Sequence, residues 1–153
     1  MTADTFAQKI SALIQQNWDA EATGLQATDV YWSHDKFDTM TQIEQANRKA
    51  IISTYNPQNP VTVDNLSRGT NLLHEAIVVD VILHAGALGG ADSCLATRES
   101  IRQHILKTLH SNQTLLTGAS LVNVEGEYVR GELPQIQRET FKVTVSYFEV
   151  CPA

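Results

Sequence analysis

The run HEAIVVDVILH, His74 to His84, constrains the fold more than any other stretch of the chain. Ile77, Val78, Val79, Val81, Ile82 and Leu83 are mostly β-branched and nearly continuous, as in a strand covered on both faces. It is therefore expected to be the central strand of a sheet, leading through the glycine-rich turn Gly86–Ser93 into a helix over 93–111. Asp80 stands in mid-run, where an ionised carboxylate without a partner is costly, so a cation must reach it. At about 100° per residue, Cys94, Leu95, Ile101, Ile105, Leu106 and Leu109 share one helical stripe, and Arg98 and Arg102 fall inside it. Two roles are open to these arginines. They lie along the sheet and pair as a buried ion pair with Asp80 or another strand acid, or they cross a boundary to a second subunit.

The rest of the chain alternates helical and extended patterns. Phe6, Ile10, Leu13, Ile14 and Trp18 fall on one face of a helix over 4–18, and DVYWSH, Asp29 to His34, reads as a short strand with Val30 and Trp32 facing one way. Residues 39–53 read as a helix that frays into an extended segment, with capping-box patterns at Thr39 and Thr41 and β-branched residues at the end. PVTVD, Pro60 to Asp64, is expected to pair antiparallel with the central strand around a tip at Arg68-Gly69. LVNV and EYVR flank Glu125-Gly126, which predicts a tight hairpin. From Arg138 to Val150, Phe141, Val143, Val145 and Tyr147 alternate with Thr140, Lys142, Thr144 and Ser146, so one face is buried and one is wet or meets a partner. The expected architecture is one α+β domain over 1–153, a mainly antiparallel sheet with an N-terminal helix and one long helix packed on one face.

Composition narrows the function classes. A chain of 153 residues fits one domain, and a net charge of −6 argues against a general grip on nucleic-acid phosphates. Cys94 and Cys151 are too few for a disulfide scaffold and lack zinc-site spacing, which fits free thiols in a reducing cytoplasm. The start MTADTFAQKI has no signal-peptide pattern and no stretch reaches membrane-spanning length, so a soluble protein without a membrane partner is expected.

No pattern of residues predicts a catalytic, cofactor or metal site. The five histidines form neither HxH nor HExxH, and Cys94, although in a first helical turn, sits on the apolar stripe as a core thiol. The Gly86–Ser93 turn invites a phosphate- or nucleotide-binding reading. It lacks the Gly-Lys-Ser/Thr ending of a P-loop, and Asp92 would place negative charge at the phosphate position. Glu125, Glu127 and Glu132 read as solvated charge, and the mixed-sign segment of Arg130, Glu132, Arg138 and Glu139 suits contact with a neighbouring subunit.

An N-terminal helix, a strand region, a central apolar strand entering one long helix (ATRESIRQHILKTL), a hairpin and a final alternating strand (RETFKVTVSYFEV) resemble the tail-terminator (tail completion) proteins of long-tailed phages and related archaeal viruses. The resemblance covers most of the chain, with an insertion at 37–60 as its poorest match. It implies a structural virion protein of the tail and neck, assembled in the host cytoplasm, that forms a ring with itself, typically a hexamer. That ring would cap the tail-tube protein, end tube growth and meet a neck or head-completion protein. DNA would pass through its lumen without specific binding, which net negative charge favours. A head-to-tail completion or stopper protein is the nearest alternative. Closure of a head-to-tail ring requires two unlike complementary surfaces, for which Arg98, Arg102, Arg130, Glu132, Arg138 and Lys142 are the candidate interface residues.

Overall fold

In a computed structural model of the chain, the described residues are 6–36, 48–57, 62–67, 70–84, 86–111, 119–129 and 136–150. Helices α1 (Phe6–Gln16), α2 (Ala20–Thr23) and α3 (Ala91–Ser111) accompany strands β1 (Val30–Ser33), β2 (Ala50–Tyr55), β3 (Thr62–Ser67), β4 (Thr70–His84), β5 (Ala119–Val129) and β6 (Ile136–Val150). The strands form one six-stranded sheet in the order β1-β2-β4-β6-β5, with β3 also on β4. Only the β1–β2 pair is parallel among the described ladders. The fold is thus α+β and mainly antiparallel, as the sequence pattern implies.

The β-branched run does become the central strand, and it is longer than the run itself. β6 follows one edge of β4 along its whole length, from Thr70 opposite Val150 to His84 opposite Ile136. The other edge is shared: β3 takes Thr70–His74 and β2 takes Val78–Leu83. Residues 50–55, part of the segment that matches the resemblance least, supply the strand wedged between β1 and β4. The helix expected over 39–53 lies mostly outside the described residues, and its extended end is β2.

Side chains alternate across the sheet with period two, so paired residues share a face. Ile77, Val79, Val81 and Leu83 of β4 join Ala50 and Ile52 of β2 and Phe141, Val143 and Val145 of β6 in the core beneath α1 and α3. Ile51 and Ile82, one residue out of phase, are also fully buried, so the central strand is covered on both faces. α1 contributes Ile10, Leu13 and Ile14, and α3 contributes Cys94, Ile101, Ile105 and Leu109. The buried stripe of α3 is narrower than the periodicity suggests: Leu95, one residue past Cys94, stays 43% exposed.

Between α1 and β1 the chain turns sharply. Asp19 caps α2 by accepting from the backbone N–H groups of Glu21 and Ala22, and Gly24 ends it with a left-handed φ of 78°. Trp18 Nε1 donates to the Leu25 carbonyl at 2.9 Å and Trp32 Nε1 to the Ala27 carbonyl at 3.2 Å. The two indoles meet edge to face at 5.3 Å between centroids, which locks the corner to β1.

The expected hairpin at Glu125-Gly126 is corrected. β5 runs unbroken through both residues, with Glu125 opposite Lys142 and Gly126 opposite Phe141, and a bulge falls earlier, between Leu121 and Asn123. A Glu-Gly pair only weakly favours a turn, whereas β6 presents a long edge that rewards an equally long partner. Among the described residues two strands therefore follow α3, not three, and the tip at Arg68-Gly69 lies outside them.

Because Phe141 is the largest fully buried side chain among the described residues, Phe141→Ala is expected to cost about 3–5 kcal/mol. Its exposed neighbour Lys142, changed to Ala, is expected to stay within about 0.5 kcal/mol. Urea midpoints at constant slope check the contrast.

Candidate functional site

Charge is placed by the same alternation. Asp80 pairs in register with Ser53 and Thr140, which puts it on the face turned away from α3. It is 3% exposed, and Arg138 Nε approaches its Oδ1 at 3.3 Å while Thr140 Oγ1 donates to the same oxygen at 3.2 Å. Glu139, paired with Val81, is on the helix face. There Arg102 Nε lies 3.2 Å from Glu139 Oε1, Arg98 Nε lies 3.9 Å from Oε2, and Arg98 Nη1 donates to Gln137 Oε1 at 3.4 Å. Asp80 and the helix arginines thus belong to two clusters on opposite faces and do not form one buried ion pair; of the two partners expected for Arg98 and Arg102, Asp80 or another strand acid, they meet the latter. Asp80 takes Arg138 from the neighbouring strand, and the helix arginines take Glu139.

Glu139 is 4% exposed, and burial pushes its carboxyl above the usual carboxylate range, against the pull of Arg102 and then Arg98. Glu99, on the outer side, bridges to Arg102 at 3.6 Å and to Arg98 at 3.9 Å. The seam ties α3 to β6 through two guanidiniums, the Glu139 carboxylate and the Gln137 amide, with the second acid, Glu99, half in solvent. In the sequence Glu139 falls in the mixed-sign segment that suits a subunit contact, whereas the fold turns it inward. Its signal was phase: β6 begins at Ile136, and Glu139 stands two residues before Phe141 on the apolar face.

Of the candidate interface residues, Arg98 is turned inward and is 7% exposed, so its charge serves the fold. Arg102 keeps nearly half its side chain in solvent on the helix side, while Lys142 and the partly covered Arg138 are on the other face. Arg130 and Glu132 lie outside the described residues.

The glycine-rich turn is a short 3-10 turn, Gly86–Leu88, followed by Gly89 and Gly90 with φ of 85° and 109° before α3. Asp92 occupies the first turn of α3, where its carboxylate opposes a phosphate. Cys94 is fully buried, and burial raises its thiol pKa, so the thiolate needed for nucleophilic chemistry is disfavoured. Among the described residues no group of three or more His, Cys, Asp or Glu is placed to hold a metal ion. No described helix is long and apolar enough to cross a membrane.

Two clefts flank the helices. One of about 390 Å³ separates the α1–α2 corner from α3, lined by Asn17, Asp19, Ser100, His104, Lys107 and Thr108 among others. The other, about 280 Å³, opens beside α1 near His34, Thr54, Asn56 and Glu75, with Asn56 Nδ2 donating to the Glu75 carboxylate at 2.5 Å.

Fold and charge placement together define a small α+β protein whose charged groups knit helix to sheet. The chain matches no family model and no curated protein. Among solved structures it is similar to a chain of the virion of a native gene transfer agent (GTA) particle, with a TM-score of 0.52, 19% identity, and coverage of 91% of this chain and 93% of that one. At that identity the likeness is one of fold.

Replacing Arg98 by Met leaves a buried carboxylate with one partner fewer and is expected to cost about 3 kcal/mol. Adding Glu139→Gln to that variant is expected to recover part of the loss, measured by chemical denaturation. The raised Glu139 carboxyl contributes stability that is complete below the ordinary carboxylate pKa and lost as pH rises through its raised folded value. Glu139→Gln in the otherwise native chain should remove that component from the profile of stability against pH.

Proposed function

We propose that this protein is a structural component of a phage-type virion, and that it acts as a tail terminator by closing into a ring on the tail tube. One observation carries the reading: the fold matches a chain of a gene transfer agent virion over nearly the whole of both. The element order that resembles tail terminators supports the finer role. In this reading the ring ends tube growth and joins the tail to a neck or head-completion protein, and the work is geometric, with no bond made or broken.

A head-to-tail ring needs two unlike patches on each subunit. Arg102 on the helix side and Lys142 with Arg138 on the other side of the sheet are separated in that way. The acidic chain, net −6, would repel DNA passing through the lumen and so keep it from adhering.

Light scattering and electron microscopy of the purified protein are expected to show a closed ring, six subunits being the expected size. Incubation with tail tubes is expected to cap them, whereas preference for portal-capped heads would assign the stopper role instead. A protein that stays monomeric at high concentration and binds neither structure overturns the proposal. Lys142→Ala is expected to weaken ring closure while leaving the circular dichroism of the subunit unchanged. Unchanged assembly would remove Lys142 from the interface.

A further inference from the structure

His104 lies on α3 against the α1–α2 corner, its ring edge to face with Trp18 at 5.4 Å between centroids. Its Nε2 is shut off from solvent and has no hydrogen-bond partner. The charged groups that act on the ring are Asp19 from the corner and Lys107 from α3, and the Asn17 backbone also hydrogen-bonds it. Neutral imidazole tolerates this setting, because a bare Nε2 lone pair costs less than a buried N–H cation without an acceptor. The cleft of about 390 Å³ alongside offers water a route to that nitrogen if the corner shifts.

We propose that the His104–Trp18 contact is an acid-operated latch: the neutral ring holds the α1–α2 corner against α3, and a proton taken from solvent onto Nε2 releases it. The released segment includes Trp18 and Leu25, which pack against the core in the closed form. Burial is the chief influence on the ring and pulls its pKa below the ordinary histidine value; Lys107 pulls the same way, while Asp19 and the Asn17 backbone oppose. The latch therefore contributes stability above the ordinary imidazole pKa and loses it as pH falls through the folded value. It stands independently of the assembly proposed above.

The chain has two tryptophans, Trp18 and Trp32, and both are in this corner, so intrinsic fluorescence reads the latch directly. On lowering pH from about 7.5 to about 5, emission is expected to shift to the red with a midpoint below about 6.5, while far-ultraviolet circular dichroism stays constant. In His104→Gln the shift is expected to vanish. In Lys107→Gln, at an exposed position, the midpoint is expected to move up because a like charge is gone. An emission maximum that does not move, a shift that persists in His104→Gln, a Lys107→Gln midpoint that stays put or falls, or a shift accompanied by loss of helical signal overturns the proposal.

Discussion

The fifteen-residue ladder between β4 and β6 is the constraint on which the rest of the structure depends. It fixes phase: every residue of β6 is assigned a face by the residue opposite it on β4. Phe141, Val143 and Val145 are therefore committed to the helix side together, and the acid two positions earlier goes with them. A slip of one residue would bring Thr140, opposite Asp80, and Lys142, opposite Val78, into the apolar core and expel Phe141. Hydrophobic burial on one face and charge pairing on both thus specify the same register.

That coupling explains why the two charge clusters take the partners they do. Asp80 and Arg138 are diagonal neighbours on adjacent strands, so their pairing needs no help from a helix. Glu139 is on the face of β6 that α3 covers. Arg98 and Arg102, one turn apart, reach its two oxygens from one side. Replacing such a cluster by apolar groups of similar volume is often neutral or stabilising, so its value here is in directing how α3 lies on β6.

Much of this was legible in the sequence. The central strand, the amphipathic α1, the long α3 and the alternating β6 all follow from periodicity, because each is long enough for burial to dominate local preference. The antiparallel pairing of residues 62–67 with the central strand was legible for the same reason, supported by the turn residues between them. Glu125-Gly126 misled because a dipeptide turn signal is local, while the continuity of β5 is decided by the partner strand. A strand acid was an expected partner of Arg98 and Arg102, but Glu139 was not singled out because it falls in a mixed-charge segment that suggested a subunit contact. The strand starts at Ile136, and its alternation, carried back from Phe141, makes Glu139 an inward residue. The His104–Trp18 contact was beyond sequence reasoning, since it joins residues from separate helices through a corner whose shape depends on Asp19 and Gly24.

Arg98, Arg102 and Arg138 are engaged with Asp80, Glu99 and Glu139, three charges of each sign, so the net charge of −6 falls on the remaining residues. For the assembly proposed here this has opposing consequences. Repulsion between like-charged copies weakens association at low salt, so a ring must close through local contacts at short range, such as those open to Arg102 and Lys142. At ordinary ionic strength screening confines that repulsion to charges within about 10 Å, and in the proposed ring the surplus negative charge would keep phosphate from adhering to the lumen. Acidic surface and a few cations at unlike edges are therefore compatible demands, provided that the buried arginines are held by the fold and do not compete for the interface.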